Sequence, residues 1–129
     1  MINSQAANSA TAVNFVEAQN AANTAAATSG WVDILDYDGF LIFVQSVGTI
    51  TAGTLTGKIQ DADDNAGANA ADVTGGGFVA VTTSTDHPNV QKVVLEANAM
   101  RRYVAYIGTI ATGPADVACV MVGAKKYVP

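Results

Sequence analysis

Short apolar runs separated by glycine and polar residues recur along the chain from residue 31 onward. In residues 54–60, Leu55 and Ile59 fall on one side of an extended segment, and residues 90–95 alternate in the same way. A period of two is typical of a strand with one buried face. The pattern predicts about seven or eight strands, within residues 31–36, 40–44, 54–60, 78–82, 90–95, 102–107 and 117–122. With no helical period after residue 30, it indicates an all-β protein, a β-sandwich of jelly-roll type.

The segment Phe40–Val44 is apolar throughout instead of alternating. Such a run, bounded by Gly39 and Gly48, fits a strand buried on both faces or a strand at a contact between subunits. We therefore expect Phe40 and Ile42 to lie at or near a subunit interface.

Residues 1–30 differ in amino-acid composition from the rest of the chain. We interpret them as an N-terminal arm that precedes a sandwich domain of residues 31–129. The arm consists mainly of Ala, Asn, Ser, Thr and Gln, and Glu17 is its only charge. It carries too little large apolar surface to fold alone, although Ala12–Val16 could add to a sheet edge. Two interpretations stay open: a disordered tail, or an arm that orders against a neighbouring subunit through Val13, Phe15 and Val16. Trp31, at the junction, is expected to anchor in the core or at an interface.

The stretch from Asp61 to Gly77 is predicted to be the longest irregular segment. Its three adjacent glycines, Gly75–Gly77, cost much backbone entropy in regular structure.

An acidic cluster at the start of that stretch resembles a calcium-binding loop. Asp61, Asp63 and Asp64 place carboxylates close together, as hard cations require. The sixth and twelfth positions of an EF-hand need Gly and Glu, whereas this chain has Ala66 and Asp72. Turn formation by the aspartates is therefore the favoured interpretation, and the three are weak metal candidates.

A second acidic set, Asp33, Asp36 and Asp38, follows the first predicted strand. Arg101 and Arg102 could pair with these aspartates, within a subunit or across an interface, since arginine binds carboxylates bidentately. Such pairs would orient the chain more than they stabilise it.

Composition restricts the function classes further. The 129 residues carry a net charge of −5 and a pI near 4.4, so the chain is poorly suited to binding nucleic acid. One cysteine (Cys119) and one histidine (His87) allow no intramolecular disulfide and no multi-histidine metal site. No nucleophile–base pair, cofactor motif, secretory signal or membrane span is apparent, so we expect neither an enzyme nor a membrane partner.

Hydropathy points to assembly. Half of the residues are apolar, only 13% are charged and the mean hydropathy is +0.25. A small monomer of this composition would expose much apolar surface, which usually marks an interaction site. We infer a subunit that packs against copies of itself or against a larger scaffold.

Three segments resemble small structural proteins of tailed phages: the acidic strand Val32–Asp36, the segment Leu55–Asp64 and the segment Arg101–Gly108, followed by an apolar strand and a final Pro129. Capsid decoration (cement) proteins are the best fit within that group. The resemblance covers residues 31–129. It implies a cofactor-free subunit, often a homotrimer, that is made in the host cytoplasm and clamps major capsid proteins on the virion surface.

The leading hypothesis is therefore a non-enzymatic decoration protein that bridges major capsid subunits. Its expected interface residues are Val13, Phe15, Val16, Trp31, Phe40, Ile42, Arg101 and Arg102. A tail, neck or fibre component of the virion is the first alternative. A calcium-dependent carbohydrate-binding sandwich that uses Asp61, Asp63 and Asp64 is the second.

Overall fold

The computed structural model describes residues 10–21 and 27–126, which form two antiparallel β-sheets packed face to face. The predicted all-β sandwich is thus confirmed; its jelly-roll type stays a prediction. No helix within these ranges is long and apolar enough to cross a membrane. The elements are β1 (Ala10–Ala21), β2 (Ala27–Thr28), β3 (Val32–Asp33), β4 (Tyr37–Ile50), β5 (Gly53–Ala62), β6 (Ala71–Gly77), β7 (Val81–Thr82), β8 (Asn89–Glu96), a 3₁₀ turn (Ala97–Ala99), β9 (Tyr103–Thr112) and β10 (Ala115–Lys125).

Sheet A has the strand order β1-β10-β4-β8. Sheet B has the order β2-β9-β5-β6, with β3 beside β9 and β7 beside β5. The register of β5 and β9 is continuous from Gly53↔Thr112 to Ala62↔Tyr103. β-branched residues are frequent in these strands, and make up half of β9, because they pack well on a pleated surface.

The core lies between the sheets and is filled by the inward side of each strand. On β10 the inward residues are buried and their neighbours are half-buried, the alternation expected when one side of a strand faces the core. Large side chains that are fully buried are Leu41, Phe43, Val47, Leu55, Ile59, Val81, Val104, Tyr106, Cys119 and Met121.

Residues 10–21 of the predicted arm form β1, an edge strand of sheet A that pairs with β10. The addition of Ala12–Val16 to a sheet edge is therefore confirmed. Phe15 and Val16 are buried in the core of their own chain, and the Phe15 ring meets Phe43 edge-on at 5.4 Å between centroids. The predicted boundary after residue 30 falls between β2 and β3, with paired strands on both sides. Residues 1–9 and 22–26 of the arm lie outside the described residues.

The prediction of irregular structure up to Gly77 is wrong for residues 71–77, which form β6 and pair with β5. Glycine permits the close approach of the two strands here. A Cβ on Gly76 would lie 3.1 Å from the Val73 carbonyl oxygen and 3.2 Å from Ile59 Cβ. Pairing with β5 supplies hydrogen bonds that offset the entropy lost by the glycines.

Candidate interaction surface

The side chains of sheet A that point away from the core form one continuous, mostly apolar surface. Ala12, Val122, Ile42 and Val94 are successive cross-strand partners in a row that spans all four strands. We name this surface the sheet A outer face; its described residues are Ala12, Asp38, Phe40, Ile42, Val44, Ser46, Val90, Lys92, Val94, Glu96, Asp116, Ala118, Val120, Val122 and Ala124.

Large apolar side chains on this face are open to solvent. Phe40 is 65% exposed, Val90 63%, Val94 48% and Ile42 37%. Its charged members among the described residues are Lys92 and Glu96 of β8, Asp38 of β4 and Asp116 of β10, and the two aspartates lie at opposite ends of the face. Single exposed apolar residues are ordinary, but a contiguous apolar surface usually marks an interaction site.

The opposite side of the sandwich, the sheet B outer face, is polar along β5, whereas β9 also contributes the apolar Ala105, Ile107 and Ala111. Its β5 residues are Thr54, Thr56, Lys58 and Gln60, and Thr56 lies directly opposite Thr109 of β9.

A charged contact extends this polar face onto β6. The Asp72 carboxylate is 2.9 Å from Lys58 Nζ and accepts a hydrogen bond of 2.7 Å from Gln60 Nε2. Gln60 first, and then Lys58, lower the pKa of Asp72 below its usual value. Satisfied polar groups of this kind are typical of a solvated surface.

Arg101 organises the loop between β5 and β6. Its guanidinium contacts Asp61 Oδ1 at 2.8 Å and Asp63 Oδ1 at 2.9 Å, and it donates to the Asn69 carbonyl oxygen at 2.8 Å. Asn69 Nδ2 donates to the other Asp63 oxygen at 2.7 Å. Asn69 first, and then Arg101, lower the pKa of Asp63.

The weak metal candidates therefore have protein partners. Arg101 binds Asp61 and Asp63, while Asp64 Oδ1 accepts the backbone N–H groups of Ala66 and Ala68 at 2.9 and 3.0 Å and closes the turn. Across residues 10–21 and 27–126, no three His, Cys, Asp or Glu side chains are grouped so as to hold a metal ion.

Arg102 pairs with Asp33, as predicted, with Nη2 2.7 Å from the carboxylate, and it also lies over the Tyr103 ring. This arginine lowers the pKa of Asp33. Trp31 is half-buried, and its indole ring packs on the β5–β6 loop at Gly67. The contact is close, since a Cβ added to Gly67 would lie 2.6 Å from the indole Nε1. Arg101, by contrast, pairs with Asp61 and Asp63 and not with the predicted set of Asp33, Asp36 and Asp38.

Sequence reasoning missed a buried polar contact between the two sheets. Gln45 of β4 is fully buried, and its Oε1 accepts a 2.5 Å hydrogen bond from the Tyr106 hydroxyl of β9. Burial raises the pKa of Tyr106 and raises that of the Cys119 thiol to about 12, so both stay protonated at neutral pH. The available signal was a glutamine directly after the apolar run Phe40–Val44.

A groove of about 390 Å³ opens between β6 and β8. Leu95, Val73 and Met100 contribute its apolar lining. Asp61 and Asp72 line it as well, but Arg101 and Lys58 already bind their carboxylates.

No protein-family model matches the chain, and no curated protein matches it in sequence. Among solved structures, the SPBc2 prophage-derived protein YomS is similar, with a TM-score of 0.53 at 13% identity over 88% of this chain and 92% of that chain.

Two weaker similarities are to an infectious bursal disease virus VP2 subviral particle (TM-score 0.46, 13% identity, 90% of this chain and 32% of that chain) and to the CBM22-1–GH10 modules of Clostridium thermocellum xylanase 10B (0.48, 10%, 95% and 27%). At 13% identity the similarity to YomS is one of fold, and the other two add nothing to it.

Proposed function

We propose that the chain is a non-enzymatic structural protein of a tailed-phage particle, a capsid decoration protein that bridges neighbouring major capsid subunits. The observation that carries the proposal is the sheet A outer face, which is contiguous and mostly apolar and exposes Phe40, Ile42, Val90 and Val94. The resemblance of residues 31–129 to phage structural proteins and the prophage origin of the similarly folded YomS support it.

In this proposal the shell buries the sheet A outer face. Burial of apolar surface gains about 25 cal/mol per Å², and loss of translational and rotational freedom offsets part of that gain. A subunit that touches two neighbouring capsid proteins couples them, because separating them then also requires breaking its own contacts. Because the protein would bind the assembled shell and not the separated capsid subunits, its binding shifts the equilibrium between them toward the shell by mass action.

The proposed contact residues are those of the expected set that are apolar and exposed in the chain. Phe40 and Ile42 lie on the sheet A outer face. Phe15 and Val16 pack into their own core, and Arg101 and Arg102 are bound to aspartates of their own chain. The bridging role therefore falls to Phe40 and Ile42, together with Val90 and Val94.

The proposal is tested by co-sedimentation of the purified chain with phage shells assembled without it. Ile42→Lys should weaken binding at least tenfold, because the ammonium group would lose its hydration against an apolar partner. The matched control is Thr56→Lys, which places the same charge at a central position of the sheet B outer face and should change binding less than twofold. Thermal scans establish that both variants are folded.

Equal loss of binding in the two variants, or none with Ile42→Lys, would refute the role of this face. A tail, neck or fibre component could use the same face, and copy number separates the two placements. A shell offers many more equivalent positions than a tail, so quantitative mass spectrometry of intact particles should find this chain at a copy number comparable to that of the major capsid protein.

A further inference from the structure

The strand β8 is the most regular open edge of the sandwich. It pairs with β4 through eight consecutive residues, from Phe40↔Glu96 to Val47↔Asn89, without a register shift. Within the described ranges no strand pairs with its other side. An unpaired edge presents N–H and C=O groups to which another strand can add.

The other sheet edges are shorter or irregular. β1 has two register shifts against β10, β6 has one against β5, and β2 has only two residues. Bulges and short edge strands hinder the addition of further strands. β8 therefore differs from the other edges in being both long and regular.

The outward side chains of β8 alternate in a specific order: Val90, Lys92, Val94 and Glu96. Across the strand pair, Lys92 lies opposite Val44 and Glu96 opposite Phe40, both apolar. Neither charge forms an ion pair within residues 10–21 and 27–126. Two opposite charges that form no ion pair among the described residues thus flank Val94 on β8.

We propose that β8 pairs in antiparallel register with β8 of a second copy of this chain, about a two-fold axis at Val94. Because Val94 lies midway between Lys92 and Glu96, this register places each lysine opposite the glutamate of the other copy. Registers centred on Lys92 or Glu96 would oppose like charges, which is unfavourable across strands. The contact is isologous, so it closes as a dimer.

The dimer would join two four-stranded sheets into one, with both sheet A outer faces on the same side. Two copies of the proposed docking surface would then meet a scaffold together, which increases avidity without any new type of contact. The pairing itself does not depend on the proposed function, because it is measured on the isolated chain. Failure of shell binding would leave it intact, and the reverse also holds.

The experiment is sedimentation equilibrium of the full chain over the concentrations at which it stays soluble. The wild type should reach twice its monomer mass of 13.1 kDa. Lys92→Glu and Glu96→Lys should each raise the dimer dissociation constant about tenfold, because each turns two attractive pairs into like-charge pairs. The double variant, which restores opposite charges in reversed order, should return the constant to within about threefold of the wild type.

The matched control is Lys126→Glu, which changes net charge as Lys92→Glu does but lies outside β8, and it should leave the constant unchanged. Hydrogen exchange adds a second measurement, in which the amides of residues 90–96 become slower as the concentration rises. The proposal would be overturned if the chain were strictly monomeric, or if it formed a trimer whose dissociation constant did not change with these charges. It would also be overturned if the double variant dissociated as readily as the single variants.

Discussion

The two outer faces of the sandwich differ although the two inner faces are alike. Inside, both sheets contribute buried apolar side chains, such as Leu41 of sheet A and Leu55 of sheet B. Outside, sheet A exposes Phe40 and Val94, whereas sheet B presents threonines and Lys58. The ion pairs Lys58–Asp72, Arg101–Asp61, Arg101–Asp63 and Arg102–Asp33 lie on sheet B and its adjoining loops.

This difference teaches that the sheet A outer face does not serve the folding of the isolated chain. A sandwich is stabilised by the apolar layer between its sheets, and its outer faces can be polar, as sheet B shows. Large exposed apolar residues occur on the strands of sheet A and not on those of sheet B, and this concentration points to a partner; the other two among the described residues, Leu35 and Val79, lie in loops. Three predictions test this reading, beginning with the interior that the two sheets share.

The largest effect should follow Gly57→Ala on the inner side of β5. A Cβ there would overlap Gln45 Oε1 and the Tyr106 hydroxyl, which form the buried contact between the sheets. Overpacking costs about 1–3 kcal/mol and an unmade buried hydrogen bond about 1–3 kcal/mol, so we expect a loss of about 2–5 kcal/mol in urea unfolding. Gly77→Ala, where no atom lies within 4 Å of the added Cβ, is the control and should cause no loss.

An intermediate effect should follow when sheet A is made to resemble sheet B. The triple variant Phe40→Thr, Ile42→Thr and Val94→Thr has β-branched threonine at all three strand positions, so its loss of stability should be smaller than that of Gly57→Ala. Native-state fluorescence of a dye that binds apolar surface should fall several-fold because the exposed apolar area is removed.

The converse variant, Thr56→Val with Thr109→Val, adds an apolar cross-strand pair to sheet B and should raise the dye signal. Unchanged dye binding in both variants would mean that the two faces do not differ in accessible apolar surface.

The smallest effect should be the response to acid, which arises on the sheet B side. The pKa values of Asp33 and Asp63 are lowered mainly by Arg102 and by Asn69, respectively, so each carboxylate favours the folded state while ionised. That stabilisation is complete above the usual pKa of 3.8 and is lost as pH falls through the lowered values.

The contribution of these ion pairs to the melting temperature should therefore be constant from neutral pH to about pH 5 and decline below about pH 4, by a few degrees at most because the carboxylates are exposed. In thermal scans, Asp33→Asn should make the decline shallower. If this variant and the wild type lose stability in parallel, the Arg102 contact does not contribute.

The local alternation of apolar and polar residues predicted strands correctly where one side of the strand is polar. Alternation predicted the segments 54–60 and 90–95, which lie within β5 and β8. The pairing of Arg102 with Asp33 was also foreseeable, since both types of group were present and complementary. The hydrogen bond between Gln45 and Tyr106 was not, because its partners lie on strands of different sheets and nothing in their neighbourhoods in sequence relates them.

The amino-acid sequence by itself determined the class of the fold, because β-branched residues and a period of two are local properties that each segment carries alone. Tertiary structure decided which side of the apolar run Phe40–Val44 faces water, since that depends on the pairing of β4 with β8 and β10, both remote in the chain. It also decided that Phe15 belongs to the core and that glycines 75–77 form a strand. In each case the deciding contact joins distant residues, and its free energy outweighs the local preference of the segment.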